Sequence, residues 1–491
     1  MEISITNFKG ISSLKDFHLH AINVLAGANS GGKSSLIHLI LMVKQSLGAR
    51  SQDTPLKLNK PYVSLGRFES IIGKQSSIDE FSIDFMLDLH DVVPRLRILL
   101  LRYWRTTQGQ SSNVSNGMRG VRVSVSFRKP GNKIVISRFK VTIESEKPLE
   151  LSLTRAKNGK SYLLQSNAKS FFFGRPFEHP TSLGTIEVNC SVIFQSFFPD
   201  YIDFPDDEAD EDFLGGYLSS EVIALIRTSF TKFFGRISYL GPLREEPREY
   251  YYQEDDFVDD IGNKGENAAY ILAKHSEDKI KYRRIDRGEG DGEAKIIEVT
   301  GTLLDAVNYW LCDEFGLAKS VIVKHPKASG NIYTVGLKNN NNITIPITHV
   351  GFGISQVFPI LVEGLRSPDS PRLIILEQPE IHLHPRVQAL LFDFVNCADP
   401  KISFLIETHS DHFINRIRRR IAECGDDSLA KKVNLTFVNR IDSNVRYEPL
   451  SISEIGTFDY WPEGFFDQYD NDLRALVKAQ SKKRKNRLQN A

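Results

Sequence analysis

The stretch 27-GANSGGKSS-35 constrains the fold more than any other part of the chain. A short apolar strand, 22-INVLA-26, leads into it. The run that follows, 36-LIHLILMVKQSL-47, is apolar almost all round, as a helix buried beneath a sheet would be. Gly27, Gly32, Lys33 and Ser34 fit the spacing GxxxxGK[ST] in the strand–loop–helix context that the pattern requires. Glycines let backbone N–H groups curl around phosphate oxygens, and the first helical turn adds unpaired donors and a positive dipole end. The residues Gly27, Ala28, Asn29, Ser30, Gly31, Gly32, Lys33, Ser34 and Ser35 therefore form the expected cradle for a nucleoside triphosphate. Lys33 would reach the β- and γ-phosphates and Ser34 would ligate magnesium, so ATP and Mg²⁺ are the expected cofactors.

A second apolar strand, 372-RLIILE-377, ends on a carboxylate. Glu377 stands where such an acid holds the magnesium shell; the alternative is a solvated strand end. The next residue, Gln378, is an amide, which can orient water but is a very poor base. Hydrolysis is therefore expected to be slow, with Glu380 a possible substitute base. His409, in 406-IETHSDHFINRI-417, follows a third apolar strand and could bond the γ-phosphate or the attacking water. Glu377, Gln378 and His409 are the candidate catalytic residues; Ser34 and Glu377 are the candidate metal ligands. A glycine loop entering an apolar helix, 349-HVGFGISQVFPILVEGL-365, offers Gly353, Ser355 and Gln356 as a second nucleotide contact, acting on another subunit. His382, His384, His409 and His412 do not make a zinc pattern.

The chain has 491 residues, room for several domains and a large core. Five segments are expected: residues 1–50 with the phosphate loop, a β-rich insertion over 51–200, a helical or mixed insertion over 201–340, a second part of the nucleotide head over 341–450, and a terminal segment with a basic tail over 451–491. Period-two alternation in 121-VRVSVSF-127 and 134-IVISRFKVTI-143 marks the insertion as antiparallel sheet, with Asn158-Gly159 as a hairpin turn. The acidic run 203-DFPDDEADEDF-213 reads as a linker, and 482-KKRKNR-487 as a frayed end. A net charge of +1 gives no global field toward nucleic acid or membrane. Four scattered cysteines suggest neither disulfides nor zinc. No signal-peptide layout is visible, and the run 36–43 is too short to span a bilayer, so a soluble cytoplasmic protein is expected.

The order of motifs resembles the ATP-binding cassette superfamily, in its branch of SMC-like, RecF-like and OLD-family heads. Matching segments are NFKG at 7–10, GANSGGKSS, GFGISQ, LIILEQPEIHLHP and LIETHSDHFINRIRRRI. With 239-YLGPLREEPREYY-251, 262-GNKGENAAYIL-272 and 461-WPEGFFDQ-468, the chain resembles a group of bacterial AAA-family ATPases that end in a domain of unknown function. The resemblance implies an α/β fold: a P-loop NTPase head of ABC/SMC type with an inserted antiparallel β region and a helical insertion. It implies Walker-A roles for Lys33 and Ser34, a Walker-B role for Glu377, a signature segment at Gly353, Ser355 and Gln356, and a switch role for His409. Gln378 departs from the usual glutamate, the signature departs from LSGGQ, and the usual glutamine lever has no clear counterpart.

Heads of this kind close in pairs around two ATP molecules, so at least a homodimer is expected, acting as a switch. Similar heads serve anti-phage systems, so a partner effector such as a nuclease is expected. No metal cluster of a nuclease follows the head in this sequence. A DNA-binding repair ATPase of RecF or SMC type is a competing expectation, with Arg416, Arg418, Arg419, Arg420 and the tail as the basic candidates, although no long heptad arm is present. A third is a non-hydrolysing ATP sensor. No membrane partner is expected.

Overall fold

The computed structural model describes residues 1–49, 54–73, 79–108, 118–173, 185–204, 217–218, 220–245, 251–252, 260–287, 295–324, 332–339, 341–349, 351–366, 369–442, 444–460, 462 and 468–489. Most of the acidic run and of the WPEGFFD segment lies outside these residues.

The chain opens with β1 (Glu2–Phe8), β2 (Ile11–His18), β3 (Ile22–Ala26) and α1 (Lys33–Leu47). Next come β4 (Glu80–Asp88), α2 (Pro94–Gln108), β5 (Met118–Arg128), β6 (Val135–Ser145), β7 (Leu149–Arg155) and β8 (Tyr162–Ser166). A short helix α3 (Lys169–Phe173) precedes β9 (Ile186–Gln195), β10 (Phe198–Asp203), β11 (Tyr217–Leu218), α4 (Glu221–Gly235) and β12 (Ile237–Leu240). The middle holds β13 (Tyr251–Tyr252), α5 (Ala268–His275), the hairpin β14 (Lys279–Asp286) and β15 (Lys295–Thr302), α6 (Leu303–Asn308), β16 (Ser320–Lys324), β17 (Ile332–Lys338) and β18 (Thr344–Pro346). The last part comprises α7 (Phe352–Leu365), β19 (Arg372–Glu377), α8 (Pro385–Cys397), β20 (Ile402–Thr408), α9 (Asp411–Glu423), α10 (Ser428–Lys432), β21 (Val433–Ile441), β22 (Asn444–Leu450) and α11 (Gln468–Gln489).

Two sheets organise the molecule. One has the order β12-β19-β20-β3-β21-β22, parallel except for the β21–β22 hairpin. Its strands β3, β19 and β20 are buried on both faces, which is why they read as continuous apolar runs. The side chains divide by parity: Leu25, Leu373, Ile375 and Leu405 join one core, while Val24, Ile374, Leu376 and Ile406 join the other. The phosphate loop lies between β3 and α1, and β20 separates β3 from the acidic strand β19. This is the P-loop NTPase head expected from the sequence.

The second sheet has ten strands in the order β11-β10-β9-β8-β7-β6-β5-β4-β1-β2, with antiparallel pairing throughout. It begins before the phosphate loop, because β1 pairs with β4. The β-rich insertion therefore continues a sheet that the first eighteen residues start, and β12, from the middle segment, returns to the parallel sheet. α1 lies in the core shared by the two sheets, which accounts for an apolar character on nearly every face. Near its C-terminal end the buried Lys44 donates to the carbonyls of Ile237 at 2.7 Å, Phe234 at 3.3 Å and Gly235 at 3.4 Å, closing the C-terminal end of α4.

Residues 482–487, expected as a frayed end, continue α11. The segment 468–489 contains no glycine or proline and is rich in Leu, Ala, Lys, Arg and Gln, all strong helix formers. Among the described residues no helix is long and apolar enough to cross a membrane.

Candidate functional site

The phosphate loop turns on backbone conformations that suit glycine. Gly27 has φ 145° and Gly32, at the N-cap of α1, has φ 101°. A Cβ on Gly27 would stand 2.1 Å from the carbonyl oxygen of Val438, and one on Gly32 would stand 2.5 Å from a methyl of Val445. The β21–β22 hairpin is thus the wall behind the loop. Tyr447 Oη adds a hydrogen bond to the Gly32 carbonyl at 3.0 Å.

Lys33 is buried, and its Nζ donates to the carbonyls of Ala28 at 2.7 Å and Gly27 at 3.0 Å. Burial lowers its pKa, opposed by the charges of Glu407 and Glu380. Ser34 Oγ donates to Glu407 Oε1 at 3.1 Å. Ala28, Asn29 and Ser30 are exposed at the lip, while Gly31 and Ser35 are buried.

A cleft of about 960 Å³ opens over the loop. Asn29 to Ser35, Gln378, Glu407 and His409 line it, together with Lys9 and His38. The sequence NFKG is a tight hairpin turn whose central residues, Lys9 and Gly10, have φ 47° and 90°. That turn holds Lys9 Nζ 2.9 Å from His38 Nδ1.

Glu377 ends β19 and is buried. Its Oε1 accepts from Tyr239 Oη at 3.2 Å and lies 4.0 Å from His38 Nε2. Burial, then the negative charge of Glu407, pushes its carboxyl up to about 7. Gln378 follows in the left-handed region at φ 44°, with its N–H on the Glu407 carbonyl at 2.8 Å. Glu380 accepts from the backbone N–H of His409 at 2.5 Å, and burial raises its pKa. The His409 ring is half-buried, and burial reinforced by Lys33 lowers its pKa to about 4, so it is neutral near pH 7.

Gly353, Ser355 and Gln356 lie in the first turns of α7, and none lines the cleft. Ser355 and Gln356 are buried. Gln356 Oε1 accepts from Arg244 Nη1 at 3.4 Å, and Arg244 Nη2 donates to the Glu377 carbonyl at 3.4 Å. Gly353 packs against the loop after β19, where a Cβ would meet the His382 carbonyl at 3.2 Å. His384 caps α8, accepting from the Arg386 N–H at 3.3 Å.

The arginines of α9 are engaged within the chain. Arg416 and Arg420 both bind Asp393, each with a contact of 2.7 Å. Arg418 donates to the Gly456 carbonyl at 2.8 Å, and Arg419 pairs with Glu423 at 2.6 Å.

A family described as "AAA domain, putative AbiEii toxin, Type IV TA system" matches residues 22–415. The chain belongs to this AAA family. The matched span of this AAA-family protein runs from β3 through the phosphate loop, β19 and β20 into α9. A second family, "Protein of unknown function (DUF3696)", matches residues 430–476, which include the β21–β22 hairpin. No curated protein matches the chain. Among solved structures it is similar to an SMC head bound to the C-winged helix domain of ScpA, at 11% identity and TM-score 0.41 over 92% of this chain and 98% of that one. It is similar to the SMC head domain from Thermotoga maritima at 8% identity and TM-score 0.34, over 92% and 98% of the two chains. It is also similar to the Smc head with an extended coiled coil bound to the C-terminal domain of ScpA, derived from Pyrococcus furiosus, at 10% identity and TM-score 0.40 over 98% of each.

Five residues in or beside this cleft escape the motif spacing: Lys9, His38 and Glu407 line it, and Tyr239 and Arg244 bond Glu377. Glu407 carried a usable signal. It ends an apolar strand just as Glu377 does, and the same reasoning about a carboxylate closing a buried strand applies to it.

Proposed function

We propose that this AAA-family protein binds ATP with Mg²⁺ in the cleft over α1 and hydrolyses it slowly, as a nucleotide-gated switch. The observation that carries this reading is the shared cleft: Lys33, Ser34, Gln378, Glu407 and His409 line one opening above a helix N-terminus. Lys33 exchanges the Gly27 and Ala28 carbonyls for β- and γ-phosphate oxygens. The residues fit a magnesium ion, since a serine hydroxyl and a carboxylate with an unpartnered buried oxygen meet at the loop, with Glu377 on the next strand. Bound Mg²⁺ would neutralise charge between the β- and γ-phosphates. Gln378 orients water but accepts no proton, and neutral His409 offers one nitrogen as donor and one as acceptor.

The switch works as at least a dimer and controls a partner effector, such as a nuclease in anti-phage defence. The five-segment organisation serves this: the head binds nucleotide, and the β-rich and middle segments remain for partner contact. A DNA-binding repair role is less favoured, because Arg416, Arg418, Arg419 and Arg420 are each held within the chain. A non-hydrolysing sensor shares the same site and differs only in turnover.

Titration with a fluorescent ATP analogue in Mg²⁺ tests the reading. Lys33→Ala removes charge-assisted hydrogen bonds and should weaken binding about tenfold to hundredfold. Unchanged affinity would overturn it.

A further inference from the structure

β20 runs between the phosphate-loop strand β3 and the acidic strand β19. Its residue Glu407 pairs in register with Glu377 on one side and Leu25 on the other. Glu407 is 3% exposed, yet it lines the cleft. Oε1 is held by Ser34 Oγ at 3.1 Å, while Oε2 is buried with no hydrogen-bond partner. Leaving such an oxygen unpaired costs stability, and more if it is ionised. The nearby cation does not satisfy it: Lys33 Nζ donates to two loop carbonyls and makes no hydrogen bond to this oxygen. Glu377 shares its Oε1 with Tyr239 Oη on the far side of β19 from β20. The carboxylate that touches the metal-binding serine is therefore the one on the intervening strand.

We propose that Glu407 is a direct magnesium ligand, its carboxylate joining the Ser34 hydroxyl and the phosphates in an oxygen shell. Magnesium takes six oxygens at close range and accepts one or two carboxylates beside phosphate and water. A carboxylate that is buried, fixed at one oxygen by the serine and open at the other is suited to that place. Glu377 then shapes the shell from one strand further away. The proposal rests on the nucleotide reading above and deepens it.

The test is Mn²⁺ binding, followed by loss of the free-ion paramagnetic resonance signal, on the full chain with AMP-PNP. Glu407→Gln should lower Mn²⁺ affinity by about tenfold or more, while AMP-PNP affinity measured in EDTA does not fall, because the substitution removes a negative charge from beside the phosphates. Glu407→Asp keeps the charge, draws it back by one methylene and should also weaken Mn²⁺; it serves if the amide variant does not fold. Mn²⁺ affinity equal to that of the unsubstituted chain overturns the proposal, including the case where hydrolysis alone is lost and the carboxylate acts on water. If the unsubstituted chain binds no AMP-PNP with or without metal, the nucleotide reading itself fails and takes this proposal with it.

Discussion

Glu377, Glu380 and Glu407 are each buried with raised pKa values, while His38 and His409 are each pushed down to about 4. The two sets act on stability in opposite directions. Glu377 keeps its proton up to about pH 7 in the folded chain and releases it earlier when unfolded. Its contribution is complete below the unfolded carboxyl value and is lost as pH rises through the folded value. The histidines, neutral when folded, cost stability at low pH and stop doing so as pH rises past their unfolded value. Glu377→Gln isolates the carboxyl. Without nucleotide, its melting temperature relative to the unsubstituted chain should climb between about pH 5 and pH 8, by up to about 3 kcal/mol in stability. A flat difference would mean the carboxyl titrates normally. At this scale the sequence was readable where chemistry follows spacing: Lys33 and Ser34 sit at their loop because the strand–loop–helix path leaves no alternative. It was unreadable where a role depends on a neighbour strand. The contact between Ser34 and Glu407 joins residues far apart in the chain, and only the strand order brings them together.

Asp393 on α8 is 1% exposed and receives Arg416 and Arg420 from α9. It ties together two helices that follow successive strands of the parallel sheet. Asp393→Asn removes the charge and leaves two mostly buried guanidiniums facing an amide. Urea unfolding should show a loss of about 3 kcal/mol; a loss near zero would mean that water replaces the pair. The apolar periodicity of 386–395 and the strand 402–407 were visible because each follows from local sequence, and the structure gives α8 and β20 within two residues of those limits. The arginines read first as a solvated helix face and second as a DNA-facing surface, and neither reading found their partner, because periodicity cannot reveal an acid on another helix. Alternation likewise disclosed β5 and β6 but not the partners of β4. Its pairing with β1 spans the phosphate loop and α1, and no local pattern records such a crossing.

The ten-stranded and six-stranded sheets share one of the two cores, and α1 lies in it, so events at the loop bear on both sheets. Within the proposed switch, Gln378 sets how long the nucleotide-closed pair lasts. Gln378→Glu supplies a base beside the cleft and should raise ATP turnover by about tenfold or more, while shortening the dimer lifetime seen by light scattering after ATP is withdrawn. Unchanged turnover would place water activation on another group. The hairpin wall of the phosphate loop carries a mechanical implication. Its strands β21 and β22 belong to the segment matched by the family of unknown function, and the Val438 carbonyl and Val445 methyls occupy the space a side chain on Gly27 or Gly32 would need. Within the proposed function, pulling or twisting that C-terminal segment by even a fraction of an ångström would tighten or slacken the turn that is to grip the triphosphate. The segment would then act as a lever whose short arm ends against the glycines.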